Sequence, residues 1–163
     1  NVMTGYWNDP EASANALVDG WLHTGDLAEI DPDGHIRIVG RLKDLIVNSG
    51  GDNIAPAPIE QEISLYPEVD QIVVAGDGRP WLSAIICLSE AVEEQEREHV
   101  IQHILKRYNH GKAPVMHIRK AILMAEPCSI ENGMLTPTHK VKRANVIAQH
   151  KSQIDRLYFS KSS

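Results

Sequence analysis

The chain contains 163 residues, of which 42% are hydrophobic and 23% are charged, values that are ordinary for a globular domain. The net charge of −6 argues against a surface for nucleic acid or for an anionic membrane, because both favour clustered lysine and arginine. No apolar stretch approaches the roughly 20 residues that a membrane-spanning helix needs, so we expect no transmembrane segment. The two cysteines lack metal-type spacing, which indicates reduced thiols in a cytoplasmic protein.

The N-terminal part of the chain predicts a short helix followed by a β-hairpin. The helix covers Glu11–Leu17, and the strands cover Asp26–Ile30 and His35–Val39. Between the strands, the run Asp31-Pro32-Asp33-Gly34 has proline in its second place and glycine in its fourth, which favours a type I turn. A piece of roughly 40 residues seldom buries a core alone. We therefore expect residues 1–42 to be the β-hairpin tail of a larger N-terminal domain.

The rest of the chain, residues 43–163, predicts one α+β domain with helices packed on a small mixed sheet. Short apolar runs between turn residues indicate strands, and apolar residues at helical spacing indicate helices. The predicted strands are Leu45–Asn48, Asn53–Ala55, Gln71–Ala75, Trp81–Leu88 and His117–Met124. The predicted helices are Pro56–Tyr66, Ala91–Tyr108 and Arg143–Tyr158.

Two motifs in this order point to one superfamily of enzymes. The first joins Thr24-Gly25-Asp26 to Gly40-Arg41-Leu42-Lys43-Asp44, and the second is Leu-Thr-Pro-Thr-His-Lys-Val-Lys-Arg at residues 135–143. Together they resemble the signatures of the adenylate-forming, or AMP-binding, enzymes, which include acyl-CoA synthetases, carrier-protein adenylation domains and luciferases. The form of the second motif is closest to that of the long-chain fatty-acid–CoA ligases.

The resemblance assigns the nucleotide, ATP or AMP, to three residues of the hairpin. In the family, the aspartate that matches Asp26 binds the ribose, since a carboxylate can accept hydrogen bonds from both hydroxyl groups. Arg41 follows at the far end of the hairpin, where it is expected to reach the same sugar, and Ile38 is expected in the same nucleotide site. On local sequence alone, Asp26 would instead cap a turn and Arg41 would form a surface ion pair.

The same resemblance assigns Lys43 to motion and the pair Gly50-Gly51 to coenzyme A. Family members carry a charged residue at the place of Lys43 and use it as a hinge between the large and small domains. Gly50 and Gly51 resemble the turn that guides the pantetheine arm of coenzyme A, where a backbone without side chains is expected to leave space and free amides for the ligand. The alternatives are an ordinary linker lysine and a plain hairpin turn.

Lys140 is the expected catalytic residue. Residues 138–143 match the family pattern Ser-Gly-Lys-x-x-Arg with Lys140, and not Lys142, at the lysine place. The resemblance implies that this ammonium group bridges the acyl carboxylate and the α-phosphate, and preorganised cations of this kind commonly contribute ~10²–10³ in rate. Arg143 is expected to anchor the loop, and His139 is expected to stiffen a turn where many relatives have glycine. A lone lysine at this place would be a solvated residue at a helix start.

One spacing in the sequence could hold a metal ion. His99 and His103 lie four residues apart on a predicted helix, and Glu96 lies one turn earlier. A fourth ligand is not evident, and charged faces of helices are usually solvated. We therefore expect no metal site in this chain.

The resemblance implies that the chain is the C-terminal part of an ATP-dependent fatty-acid–CoA ligase. The parent enzyme is expected to use a fatty acid, ATP with Mg²⁺ and coenzyme A, and to work in the cytoplasm, either free or peripheral at a membrane. The partner that the fragment lacks is then the N-terminal domain of its own chain, so the fragment alone is expected to be inactive and to hold no cofactor tightly. Two alternatives stay open, an adenylation domain that loads a carrier protein and a free-standing, non-catalytic module that binds nucleotide or coenzyme A.

Overall fold

The computed structural model describes residues 2–159 and consists of two compact units that meet in sequence between Asp44 and Leu45. The first unit contains one helix and two small antiparallel hairpins. Its elements are α1 (Pro10–Ala16), β1 (Leu17–Val18), β2 (Trp21–Leu22), β3 (Asp26–Ile30), β4 (Ile36–Arg41) and a 3₁₀ turn at Leu42–Asp44.

Capping residues and turn dipeptides define the start of the first unit. Helix α1 begins at Pro10 because the side chain of Asp9 accepts a hydrogen bond from the Ala12 amide at 2.9 Å. Strands β1 and β2, which we did not predict, are joined by Asp19 and Gly20, both at positive φ. An Asp-Gly dipeptide between apolar residues is a strong hairpin signal, so the sequence did contain the information for this turn.

The second hairpin follows the prediction closely. The Gly34 amide donates to the Asp31 carbonyl at 2.9 Å, which closes the predicted turn. Strand β4 runs two residues further than the predicted strand and includes Arg41. Strand β4 begins at Ile36 and not at His35. The His35 amide donates to the Asp31 carboxylate, so His35 is still part of the turn.

The second unit is an α+β domain, as predicted. Its strands are β5 (Ile46–Val47), β6 (Asn53–Ile54), β7 (Val69–Ala75), β8 (Leu82–Leu88) and β9 (Ile118–Leu123). Its helices are α2 (Pro56–Ile63), α3 (Arg97–Asn109), α4 (Arg143–Gln149) and α5 (Lys151–Phe159), with 3₁₀ turns at Glu94–Glu96 and Pro114–Met116. The order in the main sheet is β7-β8-β9, with β7 antiparallel and β9 parallel to the central strand, so the sheet is mixed.

The main sheet is covered on both faces. All seven residues of β8 are buried, as expected for a central strand between two layers. Ile72, Val74, Ala84 and Ile86 face one core together with residues of α2 and α3. The alternate residues, such as Val73 and Ile85, face a second core with residues of α4 and α5, among them Val146 and Ile154. Cys87 and Cys128 are free thiols buried in this second core, where burial raises the pKa of each.

Three predicted helix boundaries were wrong. The helix predicted over Pro56–Tyr66 ends at Ile63, and two others differ for local reasons. We expected a helix from Ala91, but the chain first turns at Ser89, whose carbonyl accepts from the Val92 amide, and α3 begins only at Arg97. We also expected one helix over Arg143–Tyr158, but α4 ends at Gln149. The His150 ring lies 2.9 Å from the Val146 carbonyl, where a side chain competes with the helix ladder.

Candidate active site

Asp26 and Arg41 form an ion pair at the open end of the β3–β4 hairpin. They lie directly opposite each other in the ladder, and Arg41 Nε lies 2.9 Å from Asp26 Oδ1. The Arg41 guanidinium also donates to the Thr24 carbonyl at 2.9 Å, and the Thr24 hydroxyl accepts from the Asp26 amide at 3.1 Å. Arg41 therefore connects the carboxylate and the turn before it into one arrangement, which holds the Asp26 side chain in place.

A β-bulge in β4 brings Ile38 onto the same face as this ion pair. Leu27 pairs with Gly40, but Ala28 pairs with Ile38, so Val39 is the extra residue. Residues that are directly opposite in a ladder point to one face, and faces alternate along a strand. Without the bulge, Ile38 would point away from Arg41. With it, all three residues that we expected to bind the nucleotide share one face of the hairpin.

This face leaves hydrogen-bonding capacity for a ligand. The Asp26 side chain is 27% exposed, and within residues 2–159 no hydrogen bond or ion pair reaches its Oδ2 atom. Ile38 is 60% exposed. A carboxylate oxygen beside an apolar side chain suits a sugar hydroxyl beside a flat ring, which is the pattern of a nucleoside. Local sequence alone predicted a surface ion pair for Arg41, and Arg41 does form one, with Asp26.

The Gly50-Gly51 turn connects β5 to β6 and is organised by one asparagine. Asn48 Oδ1 accepts from the amides of Gly50 and Asp52, each at 2.9 Å, and Asn48 Nδ2 donates to the Asp52 carboxylate at 2.9 Å. Gly51 has a φ of +86°, a conformation that a side chain would strain. The Ser49 amide donates to the Arg79 carbonyl at 2.9 Å, which fixes the turn to the β7–β8 connection.

These hydrogen bonds correct one of our expectations about the glycine turn. We expected the amides of Gly50 and Gly51 to be free for a ligand, but Gly50 donates to Asn48 Oδ1 and Gly51 donates to the Asn48 carbonyl at 3.0 Å. A ligand here would instead meet an exposed, preformed backbone. A Cβ atom built at Gly51 would meet no atom within 4 Å, so its missing side chain leaves open space.

Lys140 lies at the exposed end of a closed loop. The base of the loop is buried at Met134 and Leu135, and it is closed by the Lys142 amide, which donates to the Met134 carbonyl at 2.7 Å. At the tip, Thr136 accepts the Lys140 amide with its hydroxyl at 3.0 Å and donates its own amide to the Lys140 carbonyl at 2.8 Å. The lysine backbone is therefore held while its side chain is exposed, and no ion pair of Lys140 occurs among residues 2–159.

His139 adopts a conformation that favours glycine. Its φ is +58°, and its amide donates to the Thr136 carbonyl at 2.8 Å to close the tip of the loop. For a residue with a Cβ atom, the left-handed region costs roughly 1–2 kcal/mol. Glycine would adopt this backbone conformation without that cost, so histidine here stores strain.

Arg143 anchors the base of the loop, as we expected. It is the first residue of α4, and its guanidinium donates to the Val74 carbonyl at 2.9 Å and to Glu60 Oε2 at 2.5 Å. Glu60 Oε1 accepts the Val74 amide at 2.6 Å. Sequence reasoning missed Glu60, because its partners Val74 and Arg143 lie far along the chain.

The structure places Lys43 in the 3₁₀ turn at Leu42–Asp44, where it is exposed. This turn lies immediately before the boundary between the two units. In the described residues 2–159, the group of three metal-type side chains that could share an ion is Asp31, Asp33 and His35, which are exposed in the β3–β4 turn. The histidines of α3 are not part of such a group. No helix among the described residues is long and apolar enough to cross a membrane.

The comparison with protein families decides the classification. A family model described as AMP-binding enzyme C-terminal domain matches residues 43–162. The chain belongs to this family.

Relatives of this AMP-binding enzyme C-terminal domain extend the similarity to nearly the whole chain. It is 34% identical over 177 residues to the long-chain-fatty-acid–CoA ligase FadD15 of Mycobacterium tuberculosis, an alignment that covers 96% of this chain and 30% of the relative. The chain thus spans about a third of the length of the curated relative that it matches.

Solved structures show the same fold. The adenylation domain of a carboxylate reductase from Mycobacterium chelonae is 25% identical with a TM-score of 0.84, over 95% of this chain and 26% of that one. The A-PCP didomain of a carboxylic acid reductase from Segniliparus rugosus, in complex with AMP, is 26% identical with a TM-score of 0.79, over 96% of this chain and 23% of that one. These likenesses confirm the predicted α+β fold and membership in the AMP-binding enzymes.

Proposed function

We propose that this chain is the C-terminal part of an AMP-forming acyl-CoA ligase whose substrates are long-chain fatty acids. The observation that carries the proposal is the exposed Lys140 on a loop with an anchored base, in a chain of the AMP-binding family. The similarity to a long-chain-fatty-acid–CoA ligase over 96% of the chain supports the substrate class. The parent enzyme would join the fatty acid to ATP as an acyl-adenylate with release of pyrophosphate, and then transfer the acyl group to the coenzyme A thiol with release of AMP.

The hairpin face would bind the nucleotide. Asp26 would accept hydrogen bonds from the ribose hydroxyls with its Oδ2 atom, while Arg41 keeps the Oδ1 atom oriented. Ile38 would pack against the adenosine from the same face. The likeness to a structure solved in complex with AMP supports this assignment.

Lys140 would act in the first half-reaction. Its ammonium group would contact both the fatty-acid carboxylate and the α-phosphate of ATP, and it would stabilise the negative charge that builds up as pyrophosphate leaves. No covalent bond to the lysine forms in this step. Mg²⁺ would arrive with the ATP phosphates and supply charge neutralisation, and we assign none of the described residues to hold it.

Coenzyme A would pass along the Gly50-Gly51 turn in the second half-reaction. Because the two amides are already bonded to Asn48, we propose recognition by the open space above Gly51 and not by amide donors. Lys43 would be the hinge that lets the small domain turn between the two half-reactions, which fits its exposed place in a short 3₁₀ turn.

The proposed domain organisation follows from these roles. Residues 1–42 would be the tail of a large N-terminal AMP-binding domain, and residues 43–163 would be the mobile lid. The main partner of this lid would be the N-terminal domain of the same chain. ATP or AMP and coenzyme A would be bound tightly only in the whole enzyme. The two buried free cysteines fit a reducing compartment such as the cytoplasm.

The test is an assay of the full-length protein with palmitate, ATP, Mg²⁺ and coenzyme A. We expect pyrophosphate release and a coenzyme A thioester in equal amounts. The 163-residue chain alone should release no pyrophosphate with any fatty acid. Turnover by the fragment, or a full-length product that shows no acid-dependent pyrophosphate release, would contradict the proposal.

A second candidate is an adenylation domain that passes its acyl group to a carrier protein. The likeness to adenylation domains of carboxylate reductases favours it. It predicts adenylate formation without thioester formation on free coenzyme A, so the same assay separates the two. A free-standing, non-catalytic binding module would require the native reading frame to end near the length of this chain.

A further inference from the structure

The main sheet has an open edge at β7, and two side chains cover it at Val74. The Val74 amide donates to Glu60 Oε1 at 2.6 Å, and the Val74 carbonyl accepts from Arg143 at 2.9 Å. Glu60 and Arg143 also bond to each other at 2.5 Å. The three residues therefore form a closed ring of hydrogen bonds between α2, the edge strand and α4. An exposed strand edge would otherwise present unpaired backbone groups.

This ring is largely buried and therefore sensitive to the loss of either charge. The side chains of Arg143 and Glu60 are 19% and 16% exposed. Removing one partner of a buried ion pair leaves the other charge without compensation, which is strongly unfavourable. The planar guanidinium reaches the two acceptors with two nitrogens in a fixed fork, whereas a lysine would offer one nitrogen on a flexible stem.

Arg143 links the ring to the loop that carries Lys140. The loop closes at its base through Lys142, which is the residue immediately before Arg143. Asn145 in the first turn of α4 donates to the Gly133 carbonyl at 2.8 Å on the other side of the base. The first turn of α4 thus holds both sides of the loop base, and that turn is fixed by the ring together with the burial of Val146 in the core.

We infer that Glu60 is a positioning residue for adenylation, which acts through Arg143 to fix the loop of Lys140. The inference rests on the proposed role of Lys140 in the first half-reaction. Glu60 itself touches no substrate. Its loss would displace the ammonium group, and a misplacement of about 1 Å at a reacting centre can cost ~10²-fold in rate.

The test uses Glu60→Gln in the full-length enzyme, with both half-reactions measured separately. Glutamine keeps an acceptor for the Val74 amide but faces Arg143 with a neutral group. We expect the rate of ATP–pyrophosphate exchange to fall about 10- to 100-fold, with KM for ATP and fatty acid unchanged. The rate of thioester formation from supplied acyl-adenylate should stay within about twofold of the wild type. Hydrogen exchange of the peptide that covers residues 134–142 should become faster.

Arg143→Lys and Glu62→Gln complete the set. Arg143→Lys keeps the charge but loses the fixed fork, so it should show the same selective loss in milder form. This variant keeps the test usable if Glu60→Gln folds poorly. Glu62 lies on the same helix but pairs with Lys112 at 2.7 Å. Glu62→Gln should leave both half-reactions unchanged.

The outcomes separate this inference from the proposed function. Parallel loss of both half-reactions in Glu60→Gln and Arg143→Lys would mean a purely structural role and would overturn the inference, as would unchanged adenylation in both. If Lys140→Ala loses adenylation selectively and Glu60→Gln does not, only the inference fails. If Lys140→Ala retains adenylation, the proposed role of Lys140 fails first.

Discussion

Asp26 lies directly opposite Arg41 at the open end of the β3–β4 hairpin, and the two side chains are joined at 2.9 Å. The pair uses one carboxylate oxygen of Asp26, so the other is available for a ribose hydroxyl. The bulge at Val39 adds Ile38 to the same face. The proposed nucleotide site would thus depend on a local irregularity in a two-stranded ladder.

Asp26→Ala in the full-length enzyme should weaken nucleotide binding. Hydrogen bonds to a charged group contribute about 1.5–3 kcal/mol, which corresponds to an increase of about 10- to 100-fold in KM for ATP. KM for coenzyme A should not change. Glu29→Gln is the matched control, because Glu29 pairs with Arg37 on the same hairpin at 2.9 Å and plays no part in the proposed site. An equal effect of both variants would show that the hairpin is merely destabilised.

His139→Gly should stabilise the loop of Lys140. Glycine adopts a φ of +58° without the strain that histidine carries, so we expect a gain of about 1 kcal/mol in the free energy of unfolding. Chemical denaturation of the full-length protein measures it. His139→Ala removes the same ring but retains a Cβ atom, so it should give no gain. If the free energy of unfolding rose equally in His139→Ala, the cause would be removal of the imidazole ring and not relief of backbone strain.

Asn48→Ala should affect the step with coenzyme A. The variant removes the acceptor of the Gly50 and Asp52 amides, so the turn loses its preformed shape. We expect KM for coenzyme A to rise about tenfold, because binding would then have to order the turn at a cost of roughly 1.4 kcal/mol, with adenylation unchanged. Asn53→Ala, at an exposed position of β6, is the control. Unchanged KM in Asn48→Ala would argue against a role of this turn in binding coenzyme A.

The local features of this chain could be predicted from sequence, and the long-range ones could not. The turn at Asp31–Gly34 and the start of a helix at Pro56 depend on neighbouring residues, and both are observed. The bulge at Val39 depends on the register between two strands, which residue order alone does not reveal. Glu60 was not singled out from the sequence, because contacts with Val74 and Arg143 join residues far apart along the chain.

Tyr108 should make stability depend on pH in the alkaline range. Burial between α3 and its neighbours raises the pKa of Tyr108 to about 12, with nearby Glu62 and Tyr66 adding to the effect. Lys112 lies 5.3 Å from the ring. The pKa of Tyr108 in the folded protein thus lies above its value of about 10 in the unfolded chain. The stability that the neutral hydroxyl group contributes is therefore complete below pH ~10 and is lost as the pH rises towards 12.

Unfolding of the full-length protein between pH 9 and pH 12 measures this dependence. Tyr108→Phe keeps the buried ring without the hydroxyl group, so its stability should fall less steeply across this range than that of the wild type. Identical slopes in both proteins would mean that other groups control alkaline stability.

The most direct test of the account compares Lys140→Ala with Lys142→Ala in the full-length enzyme. Both lysines are exposed in the same loop and differ by two positions, so each controls for the general effect of removing a charge. We predict that Lys140→Ala lowers acyl-adenylate formation by at least ~10²-fold and leaves thioester formation from supplied acyl-adenylate largely intact. Lys142→Ala should be close to wild type in both half-reactions. The reverse pattern, with the selective loss in Lys142→Ala and normal adenylation in Lys140→Ala, would contradict the account.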